Sequence, residues 1–176
     1  MRAPQWAPGS EWLKNHPTLL EAAYRFSGHV IARAYPLLKK ISPGWTERAM
    51  MWSEHLLKGW VFNCQMCGQC ILHSTGMTCP MVCPKYLRNG PCGGVRADGH
   101  CEVIPDMPCV WVQAWERSQC MKVYADNLRV LQPPLNYALQ STSAWINVME
   151  RSDLQAPPGW ATPAQDGRAE AAPSES

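Results

Sequence analysis

Eight of the nine cysteines in this 176-residue chain fall between Cys64 and Cys109, in the order C-x2-C-x2-C-x8-C-P-x2-C-P-x7-C-x8-C-x7-C. Eight thiolates make two complete tetrahedral sets. Gly68, Gly76, Gly90, Gly93, Gly94 and Gly99, with Pro80, Pro84, Pro91 and Pro105, interrupt the same stretch and leave little room for long regular elements. The spacing is that of a metallocofactor site, with loops wrapped around the bound group.

The ligand spacing narrows the chemistry. A cubane iron–sulfur cluster needs four converging thiolates, and a C-x2-C-x2-C run supplies three from one tight loop, as in bacterial ferredoxins, where a distant Cys-Pro cysteine completes a set. Cys79-Pro80 and Cys83-Pro84 are two such steps. The simplest partition gives Cys64, Cys67 and Cys70 to one cluster with a remote fourth ligand, and draws the second set from Cys79, Cys83, Cys92, Cys101 and Cys109. Two [4Fe–4S] clusters lead on this count. One [4Fe–4S] cluster plus a four-cysteine zinc site, or zinc alone, satisfies it too, although zinc sites are usually built from two C-x2–4-C pairs and only the first run has that spacing. His73 and His100 are expected to make ordinary hydrogen bonds, and Cys120 to be a buried thiol on a helix. Lys85, Arg88 and Arg96 stand among the cysteines. They are either solvated surface or cations that offset the charge of a thiolate-bound cluster and steer an acidic redox partner.

Around this segment the chain reads as helix, which makes the fold class mostly α with an irregular cysteine-rich, cluster-binding loop segment containing a short β-hairpin. Residues 1–60 form a helical N-terminal extension and a candidate docking surface, behind an irregular lead over residues 1–17. Thr18 and Glu21 have the capping-box pattern, a helix follows to Tyr35, and Pro36 should kink or end it. Ser42-Pro43-Gly44 turns the chain into a second helix, from Trp45 to Lys58, stopped by Gly59. Residues 61–122 are the metal or iron–sulfur domain. Within it Asp98-Gly99 predicts a hairpin between residues 95–97 and 100–103, and Asp106 predicts the cap of a helix that ends near Met121, with Cys109 in its first turn. Residues 123–151 carry a last helix, from Leu135 to about Arg151, and residues 152–176 are a disordered tail in which Trp160 could touch a surface. Of the nine tryptophans, Trp45, Trp52, Trp60, Trp111 and Trp115 flank the cysteines and are expected to pack around the cofactor, although such a face can also anchor an interface.

The remaining classes are excluded by what is missing. The N-terminus has no apolar core of a signal peptide, and no run reaches the roughly 18 apolar residues of a spanning helix. The expectation is a cytoplasmic protein with no membrane partner, a reducing setting in which an odd number of cysteines is no disulfide scaffold. A formal net charge of +2 with no basic stripe argues against nucleic acid. There is no G-x-G-x-x-G, P-loop, G-x-S-x-G or H-E-x-x-H, so the chain is not expected to bind its own flavin or nicotinamide.

CQMCGQC, TCPMVCPKYLRNGPCGG, DGHCEV and MPCVW together resemble the C-terminal domain of methylenetetrahydrofolate reductases of the type that has a small cysteine-rich partner subunit. The resemblance covers the middle third of the chain. It implies an iron–sulfur accessory subunit that docks on a flavin-containing (FMN or FAD) barrel subunit, takes electrons from a donor protein and passes them toward that flavin in tetrahydrofolate one-carbon metabolism. Cys64, Cys67, Cys70, Cys79, Cys83, Cys92, Cys101 and Cys109 inherit the ligand role. No catalytic residue is implied, and no folate reductase activity for this chain alone. A zinc-stabilised structural subunit with no redox role is the alternative.

Overall fold

The computed structural model describes residues 10–155, which form five α-helices and a set of short 3-10 turns. The helices are α1 (Ser10–Lys14), α2 (Pro17–Ile41), α3 (Pro43–Phe62), α4 (Val110–Ser118) and α5 (Ala144–Glu150). The expected helical character holds. The expected hairpin does not: among the described residues there is no strand, only an isolated bridge between His100 and Pro108. The Asp98-Gly99 turn does form, with Gly99 N–H on the Arg96 carbonyl at 2.9 Å, but the chain beyond it pairs elsewhere. Arg96 N–H also bonds the His100 carbonyl at 3.0 Å, but no ladder follows: Cys101 N–H bonds the Met107 carbonyl and Cys109 N–H bonds that of Gly99, so residues 99–101 pair onward with 107–109.

α2 starts one residue earlier than the capping box predicts and runs straight through Pro36. On either side of the proline, Tyr35 and Lys39 both reach Glu150 of α5, an anchor that holds the helix where its ladder loses a donor. Glu21 is no capping residue either. It is buried, and its carboxylate accepts the backbone N–H groups of Lys122, Val123 and Tyr124 at 2.8–2.9 Å. The predicted stop at Gly59 is overrun; α3 ends at Asn63, left-handed at φ 52°, a conformation the asparagine side chain tolerates. In the lead, residues 10–14 are helical, not irregular.

Further along, α4 begins at Val110 with Cys109 as an extended N-cap, so Asp106 does not cap it and Cys109 stands just before its first turn. The helix stops at Ser118, which puts Met121 in the core and leaves Cys120 exposed, contrary to the buried thiol expected. The last helix is only α5; its predicted first half is a 3-10 turn at Tyr137–Leu139. Ser143 caps α5 through its hydroxyl to Ile146 N–H. Of the predicted tail, Ser152–Leu154 form a 3-10 turn, and Trp160 lies outside the described residues.

The core lies between the helices and the cysteine loops. Leu20 of α2, Val61 of α3, Leu72, Met77 and Met121 form its main cluster, against which Cys70 and Cys79 pack. Ile104, Met107 and Val110 form a second cluster bordered by Cys83 and Cys101, and Cys109, Trp111 and Ala114 a third. α3 is inverted relative to an ordinary surface helix. It buries Thr46, Glu54, Lys58 and Val61, and exposes Trp45, Trp52 and Leu56, at 67%, 67% and 48%.

Candidate metal centre

Four of the eight cysteines share one cleft. Cys64, Cys67, Cys70 and Cys79 line it together with Lys58, Glu54, Gln69 and Arg88. Local backbone conformation turns the loop in on itself: Asn63, Met66 and Gly68 all take positive φ within six residues. A β-carbon on Gly68 would collide with the Leu139 carbonyl, so glycine is required there twice over, for its φ of +73° and for its closeness to the later chain.

Three of the four thiols are arranged as acceptors, while Cys67 Sγ donates to the Gln69 carbonyl at 3.6 Å. Met66 N–H points at Cys64 Sγ at 3.4 Å, and the N–H groups of Leu72 and Met81 stand in the same i+2 relation to Cys70 and Cys79. Burial pushes the Cys64 thiol up to about 11 and raises Cys70 and Cys79 as well, with each neighbouring thiolate adding repulsion and these N–H groups opposing it. Sulfurs held this way stay protonated on their own and ionise only against a cation.

Two cations are buried beside them. Lys58 donates to Glu54 at 3.0 Å inside the fold; burial lowers its pKa, but Cys70 and Cys64, when ionised, and Glu54 outweigh burial and hold its ammonium above the usual lysine range. Glu54 in turn accepts from Ser143 Oγ at 2.6 Å and from the N–H groups of Ala144 and Trp145, which ties the wall of the cleft to the start of α5. Arg88 is 9% exposed and donates through Nη2 to the Gln69 carbonyl at 2.9 Å. Its Nε and Nη1 are buried without a partner. Burial pulls the guanidinium down, and ionised Cys67, Cys70 and Cys79 would push it back up.

The loop is also held from the far end of the chain. Asn147 Nδ2 donates to the Gly68 carbonyl at 2.8 Å, Ser141 N–H to that of Met66, and Gln69 Nε2 to that of Asp153.

The other four cysteines do not line this cleft. Cys83 and Cys101 border the same apolar cluster, Cys92 Sγ lies 3.5 Å from Glu102 Oε1 beside Lys85, and Cys109 is buried at the head of α4. Cys79 thus falls with the first three, the place of the remote fourth member that the sequence partition left open among its five later cysteines. Among the described residues no three His, Cys, Asp or Glu side chains close on a single-ion point. His73 contacts the Tyr24 hydroxyl at 3.4 Å, with burial lowering its pKa, and His100 bonds Asp98, ordinary partners in both cases. Lys85 pairs with Glu102 and Arg96 with Asp98 at half-exposed positions, which separates both from Arg88.

Sequence reasoning missed Lys58 and Glu54. Their i,i+4 spacing on a helix with a tryptophan-rich opposite face was the available signal. It also misplaced most of the tryptophans: Trp111 is buried, with Nε1 on the Leu87 carbonyl, but Trp45, Trp52, Trp60 and Trp115 are 50–67% exposed.

A loop of four gathered thiols, backed by buried cations and enclosed by helices, defines a cysteine-rich α-helical protein. The chain belongs to the family described as methylene-tetrahydrofolate reductase C terminal, whose model matches residues 44–138. That match takes in α3 and all eight clustered cysteines, and excludes α2 and α5. Comparison with curated proteins and with solved structures returns no match.

Proposed function

We propose that this chain is the iron–sulfur accessory subunit of a methylenetetrahydrofolate reductase complex, relaying electrons from a donor protein to the flavin of a separate barrel subunit. The observation that carries the reading is the cleft of Cys64, Cys67, Cys70 and Cys79, with buried donors aimed at sulfur and two buried cations beside it. Four thiols lining one cleft are the ligand number that a cubane requires. When bound, the cluster would supply one-electron chemistry. The chain's own part is to hold the four thiolates, keep water off them and offset their charge.

The second set would be Cys83, Cys92, Cys101 and Cys109. Their loops are tied by the Cys101–Met107 and Gly99–Cys109 hydrogen bonds, and Glu102 and Lys85 stand beside Cys92. The docking face would be the outward sides of α2 and α3, where Phe26, Leu37, Trp45 and Trp52 are each at least 63% exposed. A tryptophan-rich, desolvation-prone face of this kind suits a protein interface.

The test is a visible spectrum with iron, sulfide and zinc analysis on anaerobically purified protein. A brown protein with about eight irons per chain supports two cubanes, and about four irons with one zinc a mixed pair. A colourless protein with two zinc ions would overturn the relay and leave a structural subunit.

A further inference from the structure

Of the two cations in the cleft, one is already neutralised. Lys58 has Glu54 as a partner; among the described residues no carboxylate is paired with Arg88, whose Nη2 donates to the Gln69 carbonyl, whose Nε and Nη1 have no hydrogen-bond partner, and whose guanidinium lies within reach of the Cys67 thiol. A guanidinium cannot shed its charge by deprotonation, so a buried one with two idle donors is costly unless something anionic meets it. The side chains across from it are Cys67, Cys70 and Cys79. Four thiolates around a divalent ion, or around a cubane core of the same charge, retain about two negative charges.

We infer that Arg88 is the positioning residue of the metal–thiolate group: its Nε and Nη1 donate to sulfur on the Cys67 side, and its charge offsets about one of the two negative charges that Lys58, paired with Glu54, leaves uncovered. The inference rests on the metal-binding reading above and holds for iron or zinc. The same side chain, through Nη2, ties residue 88 to the loop it charges, so that ligand geometry and charge compensation depend on one group.

The experiment compares wild-type, Arg88→Met and Arg88→Lys full-length protein, each with metal and after its removal. With metal, R88M is expected to release iron or zinc to a chelator at least tenfold faster than wild type, with R88K between them. If the metal is iron, the cluster midpoint of R88M shifts to a more negative potential, because the lost cation favoured the reduced form. Without metal the order reverses: R88M melts at or above the wild-type temperature, since an uncompensated buried charge has been removed. R88K keeps the comparison readable should R88M fold poorly. Equal destabilisation of R88M with and without metal, at an unchanged release rate, would make Arg88 a plain structural tie and overturn the inference. A wild-type protein that binds neither iron nor zinc overturns the reading beneath it.

Discussion

Glu21 shows how far one side chain's part can differ from its sequence pattern. Three residues after Thr18 it reads as half of a capping box, yet it collects three backbone N–H groups a hundred residues away. Burial pushes its carboxyl up, but those donors and Arg25 outweigh burial and leave it below the ordinary carboxylate range. Because the folded value is depressed, its stabilisation is complete above the unfolded value near 4.5 and disappears as pH falls through the folded one. Glu21→Gln should therefore cost about 2 kcal/mol at neutral pH and almost nothing in acid, checked by urea unfolding from pH 7 to pH 3. At the cysteines, Cys67→Ser should lower metal content and loosen residues 61–122, because metal-binding free energy is folding free energy in small loop-rich sites. Unchanged metal content and melting would contradict it. The cysteines of the cleft were legible because their spacing is written in the sequence itself. Lys58 and Glu54 were not, since an i,i+4 ion pair on a helix is ordinarily solvent-facing, and only the fold says which way it points.

At the scale of elements, the helices were legible from apolar periodicity and their ends were not. Pro36 and Gly59 are local breakers, and both were overridden by packing: Glu150 anchors α2 past the proline, and Val61 and Phe62 carry α3 into the core cluster. The hairpin failed for the opposite reason. Its turn chemistry was right and one cross-turn bond forms, from Arg96 N–H to the His100 carbonyl, but the next groups, Cys101 N–H and the Gly99 carbonyl, pair with residues 107–109. Gly68 is the most exacting junction between elements. Gly68→Ala forces a side chain into a left-handed residue and into the Leu139 carbonyl, and should lower stability by about 3 kcal/mol; Gly44→Ala, with open space around it, should lie within about 0.5 kcal/mol of wild type. Paired urea melts distinguish them, and equal midpoints would show that the 3-10 turn at Tyr137–Leu139 yields freely.

For the whole molecule, the inversion of α3 is the largest departure from what hydropathy suggests. A helix that buries Glu54 and Lys58 and presents Trp45 and Trp52 has its apolar side turned away from its own core. Trp45→Ser with Trp52→Ser should leave melting within about 2 °C of wild type, as exposed substitutions do, yet abolish co-purification with a co-expressed flavin-containing barrel subunit. Retained co-purification would put the interface elsewhere. Family membership covers residues 44–138, but the loop around Gly68 and Gln69 is fastened by Asn147 and by the Asp153 carbonyl. A growing chain therefore exposes Cys64, Cys67 and Cys70 on the order of ten seconds before the residues that close the loop over them have been made. During synthesis the first thiols are open to oxidants and to solutes, and that window closes when the last helix arrives.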